Sequence, residues 1–162
     1  MRNINSQIVS LFGIGYLGRY QGSAASLIVG TFWYLFIIFI NPSLATQLIC
    51  LTFMILISVV SINKYMLKST KDDPEEIVID EACGIVISML FMNLIVFDSS
   101  PYYDFIYFAV ALFIFRLLDG LKPSFIYRIQ ILNTPSSILL DDIVAGLISL
   151  LITISLRLNL II

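Results

Sequence analysis

The chain has 162 residues, enough for one domain, and is 59% hydrophobic and 12% charged, with a mean hydropathy of +0.99. A water-soluble domain averages about 45–50% apolar and about 25% charged residues, so this composition excludes a water-facing surface around one small core and fits a lipid-facing one. The net charge of −2, with no basic tract, argues against a nucleic-acid partner, and the absence of histidine removes histidine-based chemistry.

Residues 1–10 are polar and lack the apolar core of a signal peptide. Gly13, Gly15 and Gly22-Ser23 then form a small-residue stretch that reads as an entry loop, or as backbone able to approach a headgroup. The first apolar run covers 24–40 and is rich in aromatics. After the breaker Asn41-Pro42 the second covers 44–62. The third, 77–97, is interrupted near its start by Asp80 and Glu81. The fourth, 105–118, is short, with Arg116 near its end and Tyr102, Tyr103 and Tyr107 able to anchor one end at an interface. The fifth, 138–162, contains Asp141, Asp142 and Arg157. Run length and the lack of strict alternation predict helices, and a span needs about 17–25 residues. The expectation is an all-α, membrane-embedded bundle of about five apolar helices in one domain. Cys50 and Cys83 both fall in apolar runs and read as free thiols that behave as small hydrophobes.

Charge placement orients this bundle. Arg2, Arg19, Lys64, Lys68, Lys71, Arg116, Lys122 and Arg128 fall on one side of the alternating spans, and only Arg157 on the other. The positive-inside rule puts the basic side in the cytoplasm. The acids follow the same pattern: Asp72, Asp73, Glu75 and Glu76 precede the third span, Asp80 and Glu81 open it, Asp119 ends the fourth, and Asp141 and Asp142 open the fifth. Charges within apolar helices are costly and usually face a bundle interior or a functional cavity.

A carboxylate cluster without histidine or paired cysteines suits a hard cation such as Mg²⁺ and disfavours zinc. Arg116, Asp119 and Lys122 are spaced to share one helical face, and arginine and lysine are the natural phosphate partners. The bland alternatives are helix-capping acids and an Arg116–Asp119 ion pair. For all three clusters on one side of a charge-poor chain, a joint site is the better account. Two classes of function fit such a site: a metal-dependent phosphatase acting on a lipid, or a cation carrier or channel subunit with an interfacial carboxylate site. The second wants acids near mid-membrane and reachable from both sides.

At these residues the sequence resembles the phosphatidylglycerophosphatase A family. The resemblance rests on four ordered blocks: Phe12-Gly13-Ile14-Gly15 with Gly22 and Ser26-Leu27; Asp73-Pro74-Glu75-Glu76-Ile77-Val78-Ile79-Asp80-Glu81-Ala82-Cys83-Gly84; Arg116 and Asp119 with Lys122-Pro123; and Asp141-Asp142 with Ala145-Gly146. The prolines usual around Gly18 and Gln21 are absent, and Ala25 stands where a glycine is usual. The resemblance implies Mg²⁺-dependent hydrolysis of phosphatidylglycerophosphate in the bilayer, at the cytoplasmic leaflet of a bacterial inner membrane. It implies that Asp80, Glu81, Arg116, Asp119, Lys122, Asp141 and Asp142 act in catalysis. Asp80, Glu81, Asp119, Asp141 and Asp142 would ligate the metal, and Gly13, Gly15, Gly22, Arg116 and Lys122 would bind substrate. Oligomeric state is not legible from this sequence.

Overall fold

The computed structural model describes residues 4–69, 74–94, 101–121 and 134–160. Among the described residues the chain is all helical, without strands. In order come α1 (Ile4–Val9), a 3-10 helix (Leu11–Tyr16), α2 (Gln21–Ile40), α3 (Leu44–Met66), α4 (Ile79–Ser88), α5 (Pro101–Leu121) and α6 (Pro135–Leu160). Three of these, α2, α3 and 136–159 of α6, are long and apolar enough to cross a bilayer. At 1.5 Å per residue, some twenty residues match a hydrocarbon layer of about 30 Å. The chain is thus an all-α membrane protein, as its composition predicts.

Local chemistry sets the helix boundaries. α2 stops where Asn41 takes the left-handed conformation at φ 47°, its N–H still donating to the Ile37 carbonyl. Pro42 follows, and Ser43 then caps α3 by accepting a hydrogen bond from the Thr46 N–H. The chain therefore turns back between α2 and α3. α5 is longer than the apolar run inside it. Its 21 residues add Tyr102, Tyr103 and Asp104 at one end and Asp119 to Leu121 at the other, and the acids Asp104 and Asp119 bound the apparent run.

The third apolar segment departs from expectation. The sequence predicts one span over 77–97, but the helix covers only Ile79–Ser88, about half a bilayer at 1.5 Å per residue. Residues 89–94 form successive turns, with Phe91 at φ 65°. Every α4 residue except Glu81 is buried, and α4 packs against α6, α2, α3 and α5. Non-helical backbone is tolerated at membrane depth only when protein encloses it. Here turn hydrogen bonds such as Met92 N–H to the Met89 carbonyl and Leu94 N–H to the Phe91 carbonyl satisfy it.

The segment nonetheless joins the two ends of the bundle. Its start lies beside Gly22 of α2. Its other end is fixed by Asn93, which donates to Asn41 Oδ1 (2.8 Å) and the Pro42 carbonyl (3.0 Å) and accepts from Gln47 Nε2 (2.8 Å). The start of α5 and the end of α6 meet at that same far end, where Arg157 pairs with Asp104 at 3.4 Å. The apolar core between the ends centres on Trp33, Ile37, Ile85, Val86, Met89 and Phe115.

Candidate active site

The acids converge because two helices touch. Gly84 lies four residues after Asp80, and Gly146 four after Asp142, so each glycine shares a helical face with its acid, one turn deeper. A Cβ on Gly146 would stand 2.5 Å from the Gly84 carbonyl oxygen. One on Gly84 would stand 2.8 Å from the Asp142 carbonyl oxygen and 2.4 Å from the Phe115 ring. Only glycine permits this backbone approach, and it draws the two acidic turns together. One carboxylate oxygen from each of Asp80, Glu81 and Asp142 falls within 4.8 Å of the others.

α2 and α5 complete the site. A Cβ on Gly22 would lie 2.2 Å from Glu81 Oε1 and 3.3 Å from Arg116 Nη1, so glycine leaves room for both side chains. Arg116 Nη1 pairs with Asp119 Oδ2 at 2.6 Å and donates to Ser26 Oγ at 3.4 Å. Ser26 in turn donates to the Gly22 carbonyl at 2.8 Å. The guanidinium is therefore held between α2 and α5, on the side of Gly22 that also faces Glu81.

These groups line a cleft of about 390 Å³. Asp80, Asp141 and Asp142 are buried along it, while Arg116 and Asp119 are partly exposed. Asp119 lies close enough to Glu81 and Asp142 to repel both, and Asp141 acts likewise on Asp80 and Asp142. Carboxylates this crowded and this dry cannot all carry charge unless a cation sits among them. Asp80 Oδ1 and Glu81 Oε2 are buried without a hydrogen-bond partner, and buried acceptors normally have one. An all-oxygen donor set with orphaned oxygens fits Mg²⁺ in chemistry and in need.

Of the residues singled out in the sequence, Asp80, Glu81, Arg116, Asp119, Asp141, Asp142 and Gly22 all line this cleft. Gly13 and Gly15 do not line it. Gly15 is wedged against the Glu76 carbonyl, and Gly13, at φ 111°, stands in open space. Lys122 lies outside the described residues. The cleft also takes in residues with no assigned role at the sequence level: Arg19, Gln21, Pro74 and Glu75. Gln21 Nε2 donates to the Glu75 carbonyl. Ser26, which falls with Gly22 in the first of the four sequence blocks, holds Arg116 without lining the cleft.

No solved structure matches the chain. A curated Bacteroides thetaiotaomicron protein, named "Putative phosphatidylinositol-3-phosphatase", is 26% identical over 144 residues, covering 87% of this chain and 86% of that protein. The family model for Phosphatidylglycerophosphatase A matches residues 7–157, which takes in every element of the cleft. The chain belongs to the phosphatidylglycerophosphatase A family.

Proposed function

We propose that this protein is a magnesium-dependent phosphatase that hydrolyses phosphatidylglycerophosphate to phosphatidylglycerol and inorganic phosphate. The carrying observation is three carboxylates within 4.8 Å, beside a clamped guanidinium, at one end of a membrane bundle. Asp80, Glu81 and Asp142 would hold the ion, with Asp119 and Asp141 adjoining them. When bound there, Mg²⁺ supplies a Lewis acid for a phosphoryl oxygen and lowers the pKa of a ligated water.

The chain's own residues carry the rest of the proposal. Arg116 faces the cleft as the phosphate-binding cation. Its pairing with Asp119 and Ser26 fixes it in advance, so little ordering cost falls on the reaction. Asp119 thereby orients Arg116 and also borders the carboxylate cluster. The family motif adds Lys122 as a second cation toward the phosphoryl group. Gly22 leaves the space in which Glu81 and Arg116 stand side by side. Gly13 and Gly15 shape the loop that leads to Arg19 at the cleft. Arg19, Lys64, Lys68 and Arg116 all belong to the cleft end of the bundle, and Arg157 to the other end, which supports a cytoplasmic cleft at a bacterial inner membrane.

A carrier or channel reading has less support, because Asp80, Glu81, Asp119, Asp141 and Asp142 gather at one end, while the far end holds only the Arg157–Asp104 pair and a neutral amide cluster among the described residues. The test is phosphate release by the purified protein from phosphatidylglycerophosphate, phosphatidylinositol 3-phosphate and phosphatidic acid at equal surface concentration. The expected result is fastest release from phosphatidylglycerophosphate. Preference for the phosphoinositide would move the substrate toward the one in the relative's name, and release from none of the three would contradict a lipid phosphatase.

A further inference from the structure

The segment between α1 and α2 is unlike the rest of the cleft end. It is not a spanning helix, yet it exposes large apolar side chains: Phe12 is 86% exposed, Leu17 62% and Tyr20 71%. Its backbone is unusual too. Leu11 has φ 45° and Phe12 φ 57°, left-handed values that non-glycine residues rarely adopt.

The segment is also firmly held. The Ser10 carbonyl accepts from the Gly13 and Gly15 N–H groups, and the Val9 carbonyl accepts from the Val78 N–H at 2.9 Å. Gly15 packs on the Glu76 carbonyl, next to Glu75 and Pro74 of the cleft wall. A few residues on, Arg19 and Gln21 line the cleft itself. The loop is thus a rigid part of the cleft rim that spends strained backbone to hold an aromatic ring outward. It ends where α2, one of the spanning helices, begins, so it lies at the level of the bilayer boundary, where aromatic side chains are favoured.

We infer that Phe12, Leu17 and Tyr20 form an interfacial wedge that inserts into the lipid surface at the cleft mouth and passes phospholipid headgroups toward Arg19 and the carboxylates. Docking on lipid stands by itself; the delivery of substrate rests on the phosphatase reading above. The occupant is a phospholipid surface. Its apolar upper layer takes the rings and Leu17, and its phosphates meet Arg19 on the same loop.

Two measurements separate these claims. The first needs no activity. Trp33 is the sole tryptophan, so Phe12→Trp in a Trp33→Phe background reports from the loop alone. In vesicles of phosphatidylethanolamine and phosphatidylglycerol, its emission should be blue-shifted. It should be quenched more by lipids brominated high on the acyl chain than by lipids brominated near the terminal methyl. Water-like emission overturns the inference. So does blue-shifted emission insensitive to both brominated lipids, which would mean a protein neighbour such as a second copy. The second measurement uses Phe12→Gly, which removes the ring and relieves the positive φ. The variant should melt no lower than the parent. Its turnover of vesicle-embedded phosphatidylglycerophosphate should fall about tenfold relative to its turnover of a short-chain, monomeric analogue, as expected for losing one inserted apolar side chain. An unchanged ratio overturns the delivery role. If the parent turns over neither substrate, the phosphatase reading fails while the quenching result still decides the docking.

Discussion

Asp80 and Asp142 show how one residue type can be costly for the fold and necessary for the site. Both are buried, both repel their neighbours, and Asp80 Oδ1 has no hydrogen-bond partner. A group kept only for stability would not be arranged this way, because a buried unpartnered acceptor costs about 1–3 kcal/mol. Asp80→Asn and Asp142→Asn should therefore fold at least as well as the parent in a melting assay. Their turnover should drop by about 10²–10³, the size of loss seen when one stabilising contact to a reacting group is removed. Variants that misfold instead would favour a structural role. Gly22→Ala gives a finer probe: its methyl would meet Glu81 Oε1 at 2.2 Å, the end of a side chain rather than backbone. The protein should fold, with Glu81 displaced, so the Mg²⁺ concentration for half-maximal activity should rise. A titration of rate against Mg²⁺ checks this.

The contact between α4 and α6 shows what was legible at the scale of elements and what was not. The paired glycines four residues after the acids were visible in the sequence, and helix approach explains them physically. Gly146→Val should force the α6 backbone off the Gly84 carbonyl, which lies 2.5 Å from the new Cβ. Overpacking of this kind costs about 1–3 kcal/mol, so both melting temperature and activity should fall, unlike the Gly22→Ala case. The junction of α2 and α3 was legible because Asn41-Pro42 is a local breaker, while α2 starts three residues before its apolar run and α3 continues through Asn63 and Lys64 to Met66. The end of α4 at Ser88 was not, because apolar content continues unbroken through Met92. What ends the helix is enclosure by its neighbours and the Asn93 tie to Asn41 and Pro42, about fifty residues away in sequence. The acid pairs stood out because charge is rare in this chain. Arg19 and Gln21 did not, since their place in the cleft depends on Gly15 seating against Glu76, a contact no spacing rule reveals.

In the whole molecule a one-sided charge pattern coincides with a one-sided cleft. The helix order α2, α3, α4, α5, α6 alternates between the two ends, with Tyr65 of α3 donating to Glu76 at the cleft end (2.6 Å) and Asn93 tied to Asn41 at the other. In a background with Cys50 and Cys83 replaced, Ser69→Cys should react with an impermeant thiol reagent only after the cytoplasmic side is opened, since it follows α3 at the cleft end. Labelling from outside intact cells would reverse the orientation. The claim that joins all these scales is that the crowded carboxylates hold a cation used to cleave a lipid phosphate ester. The most direct measurement is phosphate release from phosphatidylglycerophosphate by the purified protein, with Mg²⁺ and then with excess chelator. The account predicts steady release with Mg²⁺, loss of release in chelator, and recovery when Mg²⁺ is restored; full turnover in chelator would contradict it.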